Sequence, residues 1–560
     1  MPAPKILGIR ADPLCDLQAL SLERSLANLT PVTLPPVPSN YLSALPPYLR
    51  SLVDLSPMSR ADRLARQFYE LEAAERERLE GTFRWHSKYP GGQSEALREW
   101  QKQQQQQQQQ EAEEGTGAEE EEEAQVRAEA EKWERFGISA GVELGNLNRF
   151  RNIFPVSRCT LCRLQNAYPL TMSPRRQYEH TRVHLQEHSP NATDYVNASH
   201  LSLRTSSKRF IASQGPLPAT FRDFWQMCEQ EHVGVIVMLT NLQEGGRDKC
   251  GRYWVEQHGG EWDVQVEGDS AHEEEARAAF VPATPAAAQA NAPPHGGDPA
   301  AGGGFFSAFD AAKTAAPVKA PEPARDTTIR RTITVQRRKG MPANTTAPSR
   351  KIRHIQYRAW PDFDIPADPS DVVSLVDEVD AAQRDYMREI GWNPAEHEGQ
   401  EPPILAHCSA GVGRTGVFIM VSSLLDKFRS ECRAASSAAA TTEQVSMDID
   451  GSGAQQQRPP SRPVLEERLS DGVTSSLAAG LSDSSLDERK RASELAAAGQ
   501  QPQLPPVEEP ALKQSDPAFA GVNELREQRM SMVANYRQYV CVLECVLEGA
   551  LRTLQDTESA

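Results

Sequence analysis

The chain has 560 residues, a formal net charge of −17 and 39% hydrophobic residues. The negative charge argues against a nucleic-acid-binding protein, because phosphate backbones attract basic surfaces. The hydrophobic fraction is low for a packed protein of this length, so we expect the folded part to be well short of the whole. No apolar run approaches the roughly 18 residues needed to cross a bilayer, and the N-terminus lacks the plan of a signal peptide.

Nine cysteines are spread from Cys15 to Cys545 without paired regularity. In a large chain without an export signal they are better explained as thiols than as a disulfide framework. We therefore expect a cytoplasmic protein, with the nucleus as an alternative, in a reducing medium that suits a reactive cysteine. We also expect a monomer.

Segments with a periodic pattern of apolar residues alternate along the chain with low-complexity segments. Residues 1–40 are proline-rich and predict a disordered arm, whereas residues 59–80 place apolar side chains on one face of a helix. Four predicted insertions follow, at about 97–133, 157–178, 269–325 and 430–520. Long insertions are tolerated because loop-closure entropy grows slowly with length. We therefore predict that residues 41–556 form one interrupted domain.

Strand-like and helix-like segments lie between the predicted insertions. The strand-like segments are 233–240, 328–335 and 351–360, and the first is continuously apolar, as in a strand covered on both faces. Helices are predicted at 370–387, with Ser370 or Asp371 as the N-cap, at 416–428 and at 524–551. Helices that alternate with buried strands predict an α/β fold, with a twisted mixed central sheet flanked by helices.

One short loop carries the strongest chemical signal. The segment 405-LAHCSAGVGRTGVF-418 places Cys408 and Arg414 on small residues between a predicted strand and a predicted helix. This spacing alone is weak, since chance gives about half a match in such a chain. The loop, however, would aim successive backbone N–H groups at one point, which favours both a phosphate dianion and a thiolate. Arg414 adds a planar fork for two phosphate oxygens, and Gly411 and Gly413 permit close approach of the backbone. The alternative is a glycine-rich turn with a chance arginine.

A second element upstream offers an acid. In 359-AWPDFDIPAD-368, Asp362 follows Trp360 and Pro361, a bulky anchor and a rigid joint suited to a mobile loop. A leaving aryl oxide needs a proton, so a carboxyl group near the thiol would complete a phosphate-transfer site. The alternative is an ordinary carboxylate beside a helix.

Together these elements resemble the cysteine-dependent protein tyrosine phosphatases that are specific for phosphotyrosine. The resembling segments follow the family's order: 148-NRFRNIFP-155, 193-TDYVNASHL-201, 210-FIASQGPLPATFRDFW-225, 244-EGGRDKCGRYW-254, the Trp-Pro-Asp segment, the cysteine loop and 529-RMSMVANYRQY-539. The insertions and the helix at 61–75 resemble fungal non-receptor members, many of which act on MAP kinases. The resemblance implies a single phosphatase domain that acts on phosphotyrosyl proteins in signalling, with MAP kinases as candidate substrates.

The resemblance also implies a two-step reaction that uses no metal and no cofactor. Cys408 attacks phosphorus, Arg414 and the loop amides stabilise the equatorial oxygens, and Asp362 protonates the tyrosine oxygen and later deprotonates water. Thr415 helps the sulfur to leave, and His407 tunes it. The phosphate-binding amides belong to the residues that we call the cradle, namely Ser409, Ala410, Gly411, Val412 and Gly413.

Four further residues receive roles from the same resemblance. Phe150 forms the wall of a pocket deep enough to exclude phosphoserine and stacks on the substrate ring, and Asn152 binds the substrate backbone. Glu244 holds the arginine of the cysteine loop, and Lys249 reaches toward the acid. The alternatives are core packing for Phe150 and a surface pair for Glu244 and Lys249.

The sequence departs from the family pattern at three positions. Phe150 replaces the usual tyrosine, and Asp364 replaces a glycine. Ala534 replaces the first glutamine that orients water, although the second glutamine survives as Gln538. We therefore predict a slower second step and build-up of cysteinyl phosphate. One alternative is a phosphotyrosine-binding pseudophosphatase, which is disfavoured because the nucleophile, the arginine and the acid are all present. Another is a dual-specificity enzyme, which is disfavoured by Phe150 in the segment 148–155, which we call the recognition loop.

A zinc site is a competing interpretation of another segment. Cys159 and Cys162 with His180 and His184 have the internal spacings of a zinc finger, but the gap between the pairs is long. The histidines lie in text that resembles a strand of the phosphatase core. We therefore favour an inserted loop at 157–178 and no metal.

Overall fold

Short apolar segments of the chain pair side by side into one β-sheet. The computed structural model describes residues 29–88, 126–128, 132–133, 145–150, 181–186, 193–255, 261–268, 327–338, 349–361, 364–397, 400–450 and 516–559. The chain divides into two units, Met1–Glu431 with Ser515–Ala560 and Cys432–Gln514. The sheet belongs to the first unit, and residues 432–450 of the second unit are helical.

The sheet has eight strands in the described part of the chain. These strands are β1 (Arg182–His184), β2 (Tyr195–Ser202), β3 (Arg209–Ser213), β4 (Val235–Met238), β7 (Trp262–Gly268), β8 (Thr328–Arg337), β9 (Arg350–Tyr357) and β10 (Ile404–His407). Their order across the sheet is β1-β2-β3-β10-β4-β9-β8-β7. A separate hairpin pairs β5 (Gln243–Glu244) with β6 (Arg247–Asp248). All three predicted strand segments are therefore strands, as β4, β8 and β9, and the predicted α/β fold with a mixed sheet is confirmed.

Strand β10 occupies the middle of the sheet. It pairs in parallel with β3 on one side, where Ala406 lies opposite Ala212, and with β4 on the other, where Ala406 lies opposite Val237. The outer pairs β1–β2, β2–β3, β8–β9 and β7–β8 are antiparallel. All four residues of β10 are buried, as expected of a parallel strand that is covered on both faces of the sheet. This burial explains why Ile404, Leu405 and Ala406 are apolar.

Eight α-helices surround the sheet or extend from it in the described residues. They are α1 (Ser39–Leu42), α2 (Pro47–Val53), α3 (Pro57–Lys88), α4 (Phe221–Gln230), α5 (Pro369–Glu389), α6 (Gly413–Asp450), α7 (Pro517–Gln528) and α8 (Tyr536–Ser559). The long predicted helix at 59–80 lies within α3 and buries Leu64, Phe68 and Leu71. None of the helices in the described ranges is long and apolar enough to span a membrane.

The helix boundaries differ from the predictions at two places. The N-cap of α5 is Asp368, whose carboxylate accepts the Ser370 N–H at 2.8 Å, so the prediction of Ser370 or Asp371 is wrong. Pro369 at the first helical position explains the shift, because proline is preorganised there and lacks an N–H to satisfy. The single predicted helix over 524–551 is also wrong, since it is broken into α7 and α8 by residues 529–535.

The predicted insertions fall mostly outside the described residues, so their boundaries stay predictions. Two helices are exceptions. Helix α6 continues beyond Phe428 to Asp450, past the predicted start of an insertion at about residue 430, and α7 begins at Pro517, before the predicted end of that insertion at about residue 520. Residues 1–28 of the predicted N-terminal arm likewise lie outside the described ranges.

Candidate active site

Cys408 lies at the edge of the sheet where three parallel strands end. It directly follows β10, whose neighbours β3 and β4 run in the same direction, so the carboxyl ends of all three strands meet there. Helix α6 begins at Gly413, only five residues further on. The cradle is therefore a tight connection between a buried strand and a helix N-terminus, where backbone N–H groups lack partners within the helix.

Gly411 gives the cradle its bend. Its φ is +72°, and a Cβ atom placed on it would lie 2.1 Å from the carbonyl oxygen of Ser213 at the end of β3. Any side chain would therefore clash with the backbone as well as strain the residue. In this conformation the Gly411 N–H donates a hydrogen bond of 3.2 Å to Cys408 Sγ. The bend thus aims an amide at the sulfur.

The surroundings of Cys408 favour a thiolate. The thiol is almost completely buried, and burial alone would raise its pKa, yet Arg414, Thr415 and the amide of Gly411 outweigh burial and lower the pKa below its usual value. Thr415 contributes through its hydroxyl and its N–H. That hydroxyl favours the thiolate by proximity, although it makes no hydrogen bond of ordinary geometry within the described part of the chain. A nucleophile is therefore available at lower pH than an ordinary cysteine would allow.

Arg414 is held in place from two sides. Its Nη1 donates to Glu244 Oε1 at 2.8 Å and to the carbonyl oxygen of Trp360 at 2.9 Å. Its side chain is 2% exposed and that of Glu244 is 14% exposed, so the pair is well shielded from water. Glu244 Oε1 also accepts the N–H of Asn241 at 3.0 Å and the hydroxyl of Thr240 at 2.9 Å. The contact expected between Glu244 and Arg414 is present, and it fixes the plane of the guanidinium beside the cradle.

His407 belongs to a buried chain of hydrogen bonds. Its Nδ1 lies 3.1 Å from the carbonyl oxygen of Cys408, which can only accept, so Nδ1 carries a proton and Nε2 accepts from the Tyr253 hydroxyl at 2.7 Å. The Tyr253 oxygen in turn accepts from His354 Nε2 at 2.8 Å. Burial lowers the pKa of His407 to about 4 and raises that of Tyr253, so both groups are neutral near pH 7. His407 therefore orients the backbone of the nucleophile as a neutral donor.

Arg529 is a site residue that sequence reasoning missed. Its fully buried side chain donates from Nε to the carbonyl oxygen of Gly411 at 2.8 Å and from Nη2 to that of Ala410 at 3.1 Å. The same guanidinium reaches Asn197 Oδ1 at 2.8 Å and Ser199 Oγ at 3.2 Å. By holding two cradle carbonyls outward, Arg529 turns the following amides inward. Arg529 begins the segment 529–539 that resembles the family, and this was a signal of a role at the site. No residue pattern, however, indicated which groups its side chain would contact.

The recognition loop is tied to the cradle through Gln214 and Gly215. Gln214 Oε1 accepts the N–H of Arg149 at 2.8 Å, and the guanidinium of Arg149 donates to the carbonyl oxygen of Gly215 at 3.0 Å. The Gly215 N–H then donates to the carbonyl oxygen of Ser409 at 2.8 Å. Phe150 is half-buried beside Arg149 in sequence. This framework sets the height of residues 148–150, the described start of the recognition loop (148–155), relative to the cradle.

Two of the predicted site residues, Asp362 and Asn152, lie outside the described residues. The anchor of the acid segment is described: Trp360 is completely buried, and its Nε1–H donates to the carbonyl oxygen of Asp364 at 3.0 Å. Asp364 pairs with Arg537 of α8 at 2.7 Å. Lys249 is buried, and its N–H donates to the carbonyl oxygen of Leu242.

Gln538 lies against the cradle. A Cβ atom placed on Gly413 would be 2.9 Å from both Gln538 Oε1 and Nε2. Oε1 accepts the Ala534 N–H at 2.9 Å, so the amide nitrogen keeps its two N–H donors for other partners. The methyl group of Ala534 adds no polar atom to this side of the site. Gln538 is therefore brought to the cradle as expected, whereas residue 534 contributes only its backbone.

The zinc interpretation cannot be assembled from the described residues. His184 is described, and its Nδ1 lies 2.8 Å from Asp194 Oδ2. Cys159, Cys162 and His180 lie outside the described residues. Within the described ranges, no group of three or more His, Cys, Asp or Glu side chains is arranged to hold a metal ion.

Part of the chain is similar in sequence to known proteins. The family model for protein-tyrosine phosphatase matches residues 173–281 and 316–446. Tyrosine-protein phosphatase non-receptor type 9 of Mus musculus is 32% identical over 243 residues, which are 43% of this chain and 31% of that protein. Receptor-type tyrosine-protein phosphatase zeta of Homo sapiens is 30% identical over 258 residues, 45% of this chain and 8% of that protein. Tyrosine-protein phosphatase 69D of Drosophila melanogaster is 28% identical over 268 residues, 48% of this chain and 14% of that protein.

The chain thus spans less than a third of the length of each of these curated relatives, some of which are receptor-type proteins. The resemblance to fungal members stays a prediction. The matched residues include the sheet, the hairpin that carries Glu244, and the cradle with Arg414. Residues 173–281 and 316–446 therefore match the protein-tyrosine phosphatase family model, and this part of the chain is similar in sequence to tyrosine-protein phosphatases.

Proposed function

We propose that the protein hydrolyses phosphotyrosine in other proteins through a cysteinyl-phosphate intermediate. In the first step the Cys408 thiolate forms a bond to phosphorus while the bond from phosphorus to the tyrosine oxygen breaks. Asp362, in its protonated form, gives its proton to the departing tyrosine oxygen. Arg414 and the amides of the cradle stabilise the charge on the three equatorial oxygens.

In the second step a water molecule attacks the phosphorus of the cysteinyl phosphate. The Asp362 carboxylate takes a proton from that water, the bond from sulfur to phosphorus breaks, and inorganic phosphate leaves with Cys408 again a thiolate. Thr415 favours the departing sulfur because its hydroxyl and N–H stabilise the negative charge. Gln538 supplies N–H donors at the edge of the cradle.

One observation carries this proposal: a buried thiol with a lowered pKa lies under the Gly411 amide and beside an arginine already oriented by Glu244. Such donors need no reorganisation when charge develops on the phosphoryl oxygens. A glycine-rich turn with a chance arginine would not be expected to bury the Cys408 thiol and to orient the Arg414 guanidinium beside it.

The direct test is turnover of p-nitrophenyl phosphate by the purified chain with reductant and a chelator present. We expect hydrolysis by the wild type and none by Cys408→Ser. Arg414→Lys should lower kcat about 10²–10³-fold, since lysine keeps the charge but loses the planar fork. Arg388→Lys, which alters an exposed pair with Asp385 on α5 away from the cradle, should match the wild type. A wild type that leaves aryl phosphates intact between pH 5 and 7.5 would refute the proposed function.

We propose phosphotyrosyl proteins as the substrate class. The recognition loop that carries Phe150 is fixed to the cradle through Arg149 and Gly215, which favours a pocket of defined depth. A phosphoserine arm would be too short to bring phosphorus to the thiolate from the mouth of such a pocket. Matched peptides that differ only in phosphotyrosine or phosphoserine test this: comparable kcat/KM values would argue for a dual-specificity enzyme.

MAP kinases are the proposed physiological substrates, on the resemblance of the insertions and of the helix at 61–75 to fungal members. Asp362→Ala protein should capture its phosphotyrosyl substrates from a lysate, with Cys408→Ser as the control for turnover. Identification by mass spectrometry of captured proteins without any MAP kinase would remove this part of the proposal. We also propose a monomer that works in the cytoplasm or nucleus, where its described cysteines remain free thiols.

A phosphotyrosine-binding scaffold with little turnover is the second candidate, favoured by one observation. Ala534 has only a methyl group where the family pattern has a glutamine that orients water, so the second step lacks one of its usual polar groups. A scaffold of this kind would bind phosphotyrosyl peptides while hydrolysing them very slowly or not at all. A wild-type kcat of about 1 s⁻¹ or more, abolished in Cys408→Ser, would exclude it.

A further inference from the structure

The loop that joins α7 to α8 has an unusual backbone. Ser531 has a φ of +61° and Val533 a φ of +56°. L residues rarely adopt this region, and a β-branched residue does so least of all. Such a conformation persists only where the surroundings hold it, and it is often found at functional sites. We call residues Arg529–Asn535 the strained loop.

The strained loop is in direct contact with the cradle and with the helix that follows it. The Val533 N–H donates to the carbonyl oxygen of Val412 at 3.3 Å. A Cβ atom placed on Gly416, in the first turn of α6, would lie 2.5 Å from the Val533 nitrogen. Arg529, the first residue of the loop, bonds two cradle carbonyls. A displacement of the strained loop would therefore displace the cradle as well.

Arg526 holds the strained loop from behind. Its Nε donates to the carbonyl oxygen of Met532 at 3.0 Å and its Nη2 to that of Val533 at 2.9 Å. These bonds fix the two peptide groups that flank the Val533 Cα, one of which contains the Val533 nitrogen. The Arg526 side chain is completely buried, so its charge needs partners within the protein.

Helix α3 supplies those partners. Arg526 Nη1 lies 2.7 Å from Glu72 Oε1 and 3.2 Å from Glu75 Oε2, in ion pairs whose oxygens lie off the N–H directions. Glu75 Oε1 also accepts the N–H of Ser531, the first residue with positive φ, at 2.6 Å. Glu75 is itself buried. One carboxylate thus binds both the strained loop and the arginine that holds it.

We propose that Glu75 and Glu72 are positioning residues for the phosphatase reaction: they fix Arg526 and Ser531, and through the strained loop they fix the cradle. Helix α3 thereby becomes part of the catalytic apparatus, although it lies about a hundred residues before the first residue that the family model matches. The inference rests on the proposed function, because the cradle is the part of that function which α3 supports.

A purely structural role for Glu75 predicts a different outcome. In that case any buried polar contact of α3 with α7 or α8 would serve equally well. Gln67 provides such a contact, since its amide donates to Asp516 Oδ2 at 3.0 Å and accepts from the Tyr539 hydroxyl at 3.1 Å. It lies on the same helix and is buried like Glu75, but neither of these partners belongs to the strained loop. Gln67→Ala is therefore the matched control.

The experiment compares Glu75→Ala, Glu75→Gln and Gln67→Ala with the wild type in two assays. The first is kcat/KM for p-nitrophenyl phosphate, measured well below the melting temperature of each variant. The second is the pH midpoint for alkylation of Cys408 by iodoacetate, which reports the amides around the sulfur without requiring turnover. Other ionisable or charged groups near Cys408 are His407, Cys250, Arg414 and Arg529, and all of them are unchanged in the variants.

We expect Glu75→Ala to lower kcat/KM about tenfold and to raise the alkylation midpoint by roughly one pH unit, because a misplaced cradle loses about one good hydrogen bond to anionic oxygen or sulfur. Glu75→Gln keeps an oxygen for the Ser531 N–H and should show a smaller change in the same direction. Gln67→Ala should lower the melting temperature without changing either quantity. If Glu75→Ala does not fold, Glu75→Gln decides the outcome.

Wild-type values of both quantities in the Glu75 variants, or equal losses in Gln67→Ala, would overturn the inference. A wild type that fails to hydrolyse aryl phosphate would instead refute the proposed function. In that event the alkylation midpoints still test whether Glu75 positions the cradle.

Discussion

Arg529 shows how one buried side chain can set the direction of several backbone groups. The amides of a peptide segment point opposite to its carbonyls, so an arginine that captures the carbonyl oxygens of Ala410 and Gly411 leaves the amides free to face an anion. Burial lowers the pKa of Arg529 to about 10, which still leaves it protonated near pH 7. A fixed positive charge behind the cradle also favours the thiolate of Cys408.

We predict that Arg529→Lys will impair both stability and catalysis. Lysine cannot span two carbonyls and two side-chain oxygens with one compact ammonium group. The free energy of unfolding should fall by about 2–4 kcal/mol, since buried acceptors lose a charged donor. The value of kcat/KM should fall at least about tenfold.

Urea unfolding and steady-state kinetics check this prediction. Arg388→Lys, at an exposed position near the end of α5, serves as the control and should remain within about 0.5 kcal/mol of the wild type. An Arg529→Lys protein that loses stability but keeps its kcat/KM would show that the guanidinium is structural only.

At the residue scale, the sequence predicted the side chains that meet at the candidate site better than it predicted the residues that hold them in place. Cys408, Arg414 and Glu244 were predicted because their residue types and order are distinctive, and the structure brings all three together. Arg529 and Tyr253 were not predicted as site residues, because an arginine or tyrosine acts on the cradle only through partners more than a hundred residues away. No local pattern encodes such contacts.

Among the elements, the connection from β10 to α6 concentrates the chemistry. The strand ends in the middle of the sheet, the helix begins six residues later, and the helix N-terminus adds its own attraction for anions. Both elements were recognisable in the sequence, since an apolar strand, a glycine-rich turn and an apolar helix follow each other directly. The interruption between α7 and α8 was not recognisable.

The missed interruption has a physical cause. Residues 529–535 contain no proline and no glycine, so their text is compatible with a continuous helix. Tertiary contacts override that preference: Arg526 and Glu75 bind the loop from one side and Val412 from the other. Helix propensity was outweighed by bonds to segments that are distant in the chain.

We predict that Ala534→Gln will accelerate the second chemical step. In the wild type Gln538 Oε1 is occupied by the Ala534 N–H, so this glutamine offers donors but has one acceptor position engaged. A glutamine at position 534 would add an acceptor that can orient the attacking water. Rapid-quench kinetics should show a burst of p-nitrophenol and a trapped cysteinyl phosphate in the wild type, and both should diminish in Ala534→Gln.

The control for this experiment is Ala534→Leu, which adds volume without an acceptor and should not shorten the lifetime of the intermediate. Absence of a burst in the wild type, at substrate concentrations well above KM, would mean that hydrolysis of the intermediate is not slow. The missing glutamine would then have no kinetic consequence.

The whole molecule carries a pH dependence that originates in its buried histidines. Burial lowers the pKa of His407 to about 4 and that of His354 well below its ordinary value. Unfolded histidine binds a proton below about pH 6.5. Between pH 6.5 and about 4 the unfolded state therefore binds more protons than the folded state, so the free energy of unfolding decreases as the pH falls through this window.

We predict that the melting temperature will decline from pH 7 to pH 4.5 and that His354→Gln will reduce the slope of this decline. Glutamine can donate to Tyr253 but takes up no proton on unfolding. Calorimetry at several pH values measures the slope, and His397→Gln, at an exposed position beside Trp392, should leave it unchanged. Equal slopes in all three proteins would mean that carboxylates alone cause the decline.

The central position of β10 has a consequence for how reactivity arises in a newly made chain. The sulfur becomes nucleophilic only after distant parts of the chain have met around it. Glu244 contacts Arg414 across 170 residues, and Arg529 contacts Gly411 across 118 residues. In a chain that has not yet folded, the thiol therefore keeps the ordinary pKa of a cysteine. It is then mostly protonated near pH 7, and this protects it from premature oxidation. Labelling of this cysteine during refolding would time the last assembly event of the domain.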